Sequence, residues 1–89
     1  MYRLRIRDSV NKAFLQLAKK DPKTLQIIAN KIDEILEKPE RFKNLRAPLQ
    51  HLKRIHISSS YVLVYSVDRD NRTVIIEDFA YHDSIYRKR

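Results

Sequence analysis

The sequence predicts an α+β fold of order β-α-α-β-β-β, with an N-terminal helical hairpin packed on one face of a small antiparallel sheet. Three observations predict it. Residues 2–7 alternate apolar and basic, which is the period of a half-buried strand. Two apolar stripes at helical spacing then follow on either side of Asp21-Pro22. After Pro48 come three runs rich in β-branched and aromatic residues, separated by short polar links. At 89 residues the chain forms one domain, 1–89, with a thin core.

Each element has a local cause. In the first strand Tyr2, Leu4 and Ile6 share one face, and Arg3, Arg5 and Arg7 the other. Asp8 or Ser9 is the expected N-cap of the first helix, whose stripe is Val10, Ala13, Phe14, Leu17 and Ala18. Asp21-Pro22 ends that helix and starts the next, with Asp as cap and Pro in the first turn. Leu25, Ile28, Ala29, Ile32, Ile35 and Leu36 form the second stripe, and Pro39 closes it. So short a turn packs the two helices antiparallel. Residues 40–49 read as a loop. Strands are expected near 50–57, 60–67 and 72–79, joined through Ser58-Ser59 and Asp68–Asn71 as a meander. The second link needs a residue with positive φ, and Asn71 or Asp70 is the candidate because the chain has no glycine. The helices cover one face of the sheet, so function is expected on the other, open face.

Composition narrows the chemistry. Nineteen Lys and Arg against eleven Asp and Glu give a net charge of +8. Residues 41–56 hold Arg41, Lys43, Arg46, Lys53 and Arg54 and no acid, and the chain ends Arg87-Lys88-Arg89. Basic blocks of this kind in a small domain point to nucleic acid. The absence of cysteine excludes disulfides and thiolate zinc sites. The absence of glycine excludes P-loops and dinucleotide fingerprints, so phosphate must be held by side chains. No apolar run is long enough to span a bilayer, and Arg3, Arg5 and Arg7 break any signal-peptide pattern. A soluble, cytoplasmic protein without membrane, small-molecule ligand or cofactor is expected.

The candidate site residues follow from strand parity. In 50–57, Lys53, Ile55 and Ile57 share one side; the isoleucines seek the core and send Arg54 and His56 to the open face. The histidines are His51, His56 and His82, with no spacing typical of a metal site. Two imidazoles beside cations suit metal-free RNA cleavage. One takes the 2′-OH proton, the other protonates the leaving 5′-oxygen, and Arg or Lys neutralises the developing charge. Two of these three histidines would form the acid–base pair, with Arg54, Lys53, Arg46 or a remaining histidine such as His51 on phosphate. Tyr81 and Tyr86 are candidates for stacking on bases, whereas Tyr61 and Tyr65 are expected in packing.

The run from Arg54 to Tyr65 (RIHISSSYVLVY), with the later Tyr81-His82-Asp83-Ser84-Ile85-Tyr86, resembles the RelE/ParE superfamily of toxins from type II toxin–antitoxin systems. The resemblance covers nearly the whole chain. It implies either a RelE-type, ribosome-dependent endoribonuclease that cuts mRNA in the A site and inhibits translation, or a ParE-type inhibitor of DNA gyrase without nuclease activity. A degenerate RNA-binding homologue is a third possibility. The many-arginine form of the RelE site has Arg where this chain has Val62. The YafQ-like branch is closer: it implies catalytic histidines at His56 and His82 and an aromatic at Tyr86. Its further histidine falls at Ala47, with His51 nearby, and its aspartate at Ser60. The resemblance also implies a cognate RelB-like antitoxin, with the ribosome and mRNA as the other partners.

Overall fold

The structure, a computed structural model, describes residues 1–42, 44–45 and 51–81, and of Tyr81 only the backbone. Its elements run β1 (Arg3–Ile6), α1 (Asp8–Lys20), α2 (Pro22–Glu37), β2 (Lys53–Ile57), β3 (Tyr61–Asp68) and β4 (Thr73–Tyr81). The strands form one sheet in the order β1-β4-β3-β2, and both helices lie on one of its faces. The sheet is mixed. β2, β3 and β4 form the expected antiparallel meander, but β1 runs parallel to β4, because the helical hairpin carries the chain across the sheet before β2 begins.

The helix stripes meet the sheet as their spacing requires. Val10, Phe14 and Leu17 of α1 and Ile28, Ile32, Ile35 and Leu36 of α2 are buried against Ile55, Ile57, Leu63, Tyr65, Val74 and Ile76. Phe79 meets Phe14 edge-on at 5.4 Å and stacks on Tyr61 at 5.0 Å. β1 is an edge strand, so its apolar face is only partly covered. Tyr2 and Ile6 pack on the core while Leu4 stays 41 % exposed.

The helix ends differ in how they are capped. Asp21 caps α2, accepting from the Thr24 amide at 3.2 Å and from Thr24 Oγ1 at 2.6 Å, with Pro22 in the first turn. These bonds hold the Asp21 carboxyl below its ordinary range. At α1 neither Asp8 nor Ser9 is the cap. Arg7 occupies that position in extended backbone without a side-chain bond, and Asp8 already lies in the first turn, where it complements the helix dipole. The direct exit from β1, with the Arg7 amide bonded to the Ile76 carbonyl at 3.1 Å, leaves no room for a separate capping residue.

Among the described residues the positive-φ ones are Ser58 at 56° and Arg72 at 48°, not Asn71 or Asp70. Asp68 explains the second. Its carboxylate accepts from the Asn71 amide at 3.2 Å and from Asn71 Nδ2 at 2.8 Å, and this fixes the turn one residue early. Arg72 takes the left-handed step instead, and its guanidinium lies over the Tyr2 ring, 5.0 Å from the centroid. Among the described residues no helix is long and apolar enough to cross a membrane.

Candidate nucleic-acid interface

The second face of the sheet is where the sequence directs attention, and parity places its side chains. Arg54 and His56 of β2 point there, His56 exposed and Arg54 half-buried. Register then defines two rows across the sheet. His56 stands opposite Val62, and Val62 opposite Ala80. Arg54 stands opposite Val64, and Val64 opposite Asp78. β4 therefore ends beside the His56 row, and in the sequence His82 comes next after Tyr81. His82, Tyr86 and Arg46 lie outside the described residues.

This face is not fully open, contrary to the sequence expectation. Val62 and Val64 are buried under Leu45, with Leu52 and Ala80 packed beside them. A chain with two valines on that side of a central strand has apolar area to hide, and the segment entering β2 covers it. His56 stays exposed at the rim of this small second core. Val62, where the many-arginine site has a cation, is instead fully buried.

Lys53, expected on phosphate, does not share the face of Arg54 and His56. It lies on the helix side with Ile55 and Ile57 and is only 8 % exposed. Its Nζ donates to the Phe42 carbonyl at 3.1 Å and to Asn44 Oδ1 at 2.8 Å, and it pairs with Glu40 at 3.5 Å. Glu40 also holds Arg69 at 2.6 Å. Next to Lys53 across the strands, the buried Tyr65 hydroxyl donates to the Pro39 carbonyl at 2.9 Å, and burial pushes that hydroxyl's pKa far up. Lys53 and Tyr65 thus tie Pro39, Glu40, Phe42 and Asn44 to β2 and β3.

One polar group on this face had no place in the sequence reading. Between Val64 and Tyr65 the β3–β4 register slips, and β4 gains one residue in a bulge at Glu77. Its carboxylate accepts from Arg7 Nε at 2.9 Å and from Ser66 Oγ at 2.6 Å. Partial burial pushes its pKa up, but these two bonds and the charges of Arg7 and His51 outweigh that and hold it below the ordinary value. His51 itself is exposed. The sequence held a signal for this bulge: Val74 and Ile76 face the helices, and so does Phe79, which an unbroken alternation forbids.

A groove of about 310 Å³ lies on the opposite side, between α1 and the end of the β3–β4 pair. Ala13, Gln16, Leu17, Lys20, Tyr61, Phe79 and Ala80 line it, and no residue nominated for chemistry is among them.

A helical hairpin on one face of a β1-β4-β3-β2 sheet is a fold shared with solved structures of other proteins. The intact Escherichia coli RelBE toxin–antitoxin complex contains such a chain: it superimposes with a TM-score of 0.75 at 23 % identity, covering 90 % of this chain and 95 % of that one. The family model for the ParE toxin of type II toxin–antitoxin systems matches residues 4–86, and the chain belongs to that family. Its relatives include an uncharacterized protein of Methanosarcina mazei, 54 % identical over 97 % of this chain and 100 % of the relative. Another, named "Putative toxin RelE4", comes from Methanocaldococcus jannaschii and is 47 % identical over 100 % of this chain and 95 % of the relative.

Proposed function

We propose that this toxin is a ribosome-dependent endoribonuclease that cleaves mRNA in the A site and so stops translation. The observation that carries the reading is the row His56–Val62–Ala80, with exposed His56 at one end and, at the other, Ala80 of β4, two residues before His82 in the sequence. His56 and His82 are the acid–base pair. One imidazole removes the proton of the RNA 2′-OH as that oxygen attacks the adjacent phosphorus. The other gives a proton to the departing 5′-oxygen, and a 2′,3′-cyclic phosphate is left. Arg54 stands in the neighbouring row and neutralises charge on the phosphorane, with His51 and Arg46 extending the cationic edge. Tyr86 stacks on or orients the base. No metal takes part in this scheme.

The partner expected for such a toxin is a RelB-like antitoxin, whose acidic, amphipathic helix lies across the basic surface or the helical hairpin. The test of the activity is induction of His82→Ala and His56→Ala in growing cells, with primer extension on ribosome-bound mRNA. Loss of both growth arrest and cleavage supports the assignment; undiminished toxicity and cleavage overturn it. The buried Val62 favours one second reading, a ParE-type inhibitor of gyrase that cuts no RNA. DNA damage with continuing protein synthesis after induction distinguishes it.

A further inference from the structure

The opposite edge of the same face carries cations that the proposed chemistry does not use. Tyr2 and Ile6 pack on the helix side, so Arg3 and Arg5 of β1 project from the second face, opposite Thr73 and Ile75 of β4. Both are exposed. Among the described residues neither side chain makes a hydrogen bond or ion pair, whereas Arg7, next in the same row, is taken by Glu77. A strand holds side chains two residues apart at about 6.7 Å and in line, so the two guanidinium groups form a straight cationic track.

From this track we infer a second RNA contact: Arg3 and Arg5 grip the sugar–phosphate backbone of RNA at the β1 edge, apart from the segment presented to His56. Charge complementarity selects the occupant. The track has two unneutralised cations and only the half-buried Ile75 as an apolar neighbour on its face. A protein partner needs an apolar anchor, while a phosphate backbone needs only spaced positive charge. Three strand spacings, about 14 Å, separate β1 from β2. Between the edges stand the Glu77 carboxylate and the apolar cover of Leu45 and Leu52, so a strand held at the β2 edge does not run flat across to β1. The β1 edge therefore positions the toxin on its RNA target, and the β2 edge presents the substrate. The inference rests on RNA being the target, but not on which groups perform cleavage.

The experiment measures binding without chemistry. Wild-type chain is titrated with a fluorescent 2′-O-methyl RNA hairpin, which has no free 2′-OH to attack, over a range of salt concentrations. Arg3→Gln/Arg5→Gln is compared with Lys12→Gln/Lys19→Gln, which removes two exposed charges from α1, and folding of both is checked by circular dichroism. Loss of two phosphate contacts lowers the slope of log K against log salt by about 1.5. That fall for the arginine pair, with less than half of it for the lysine pair, is the expected result. An equal fall for both pairs overturns the inference in favour of diffuse charge. An unchanged slope with weaker binding to polyglutamate assigns the edge to an acidic protein instead. An unchanged slope with new self-association assigns the arginines to guarding the strand edge. If no variant or wild type cleaves mRNA on ribosomes, the proposed activity fails while the slopes still decide this contact.

Discussion

The two faces of one sheet are built by different rules. On the helix side every strand contributes apolar side chains, in alternation except at the Glu77 bulge, and both helices fill the space above them. On the other side the valines of β3 form a small patch with Leu45, Leu52 and Ala80, flanked by Arg54 and His56 at one edge and by Glu77 with Arg7 and Ser66 near the other. The first face supplies stability through buried area. The second gathers charged and polar groups around a small apolar patch, and the proposed chemistry is assigned to it. Strand parity thus separates neighbouring residues such as buried Ile55 and exposed His56.

Substitutions probe this division, and the largest effect belongs to the helix side. Ile57→Ala empties a fully buried site and lowers unfolding free energy by about 2–5 kcal/mol in denaturant titration. A loss below 1 kcal/mol would mean that the first face is not the stabilising one. Next comes Lys53→Met, which keeps the stem but leaves the Phe42 carbonyl, Asn44 and Glu40 without their cation. It costs about 1–3 kcal/mol and lowers activity by loosening the segment that these bonds tie to the sheet. Unchanged stability would return Lys53 to the list of phosphate ligands.

A third substitution concerns pH. Because the folded state holds Glu77 below its ordinary value of 4.5, its ionised form stabilises the fold above about pH 4.5, and that contribution is lost as pH falls through the lowered value. Glu77→Gln is therefore less stable than wild type near neutrality, and the difference shrinks in acid. A thermal melt series from pH 7 to 3 reads it, and a difference that grows in acid contradicts the network. The smallest effect is Ser58→Gly. It relieves a left-handed residue in the β2–β3 turn and stabilises by a few tenths to about 1 kcal/mol in the same titration.

The same division separates what the sequence made legible from what it did not. Tyr61, Leu63 and Tyr65 alternate, face the helices and were readable as packing, as were both helix stripes. Arg54 and His56 were readable because Ile55 and Ile57 have one place to go. Lys53 shares their parity, yet a lysine among isoleucines reads as a surface cation. Its burial depends on Glu40, Phe42 and Asn44, which only the tertiary fold brings to it. The cover of Leu45 over Val62 and Val64 is a contact without local pattern. Arg72 took the left-handed turn position because Asp68 spent its carboxylate on Asn71, a preference set by one side-chain bond rather than by residue type. His82, Tyr86 and Arg46 lie outside the described residues, so their part in the site stands on sequence and on the end of β4.

The most direct measurement is the pH dependence of mRNA cleavage on ribosomes by wild type and His56→Ala. The account predicts a bell-shaped profile for wild type, with one limb from each histidine. It predicts a rate at least about a hundredfold lower for His56→Ala, with one limb gone and the thermal melt unchanged. A profile and rate indistinguishable from wild type would contradict it.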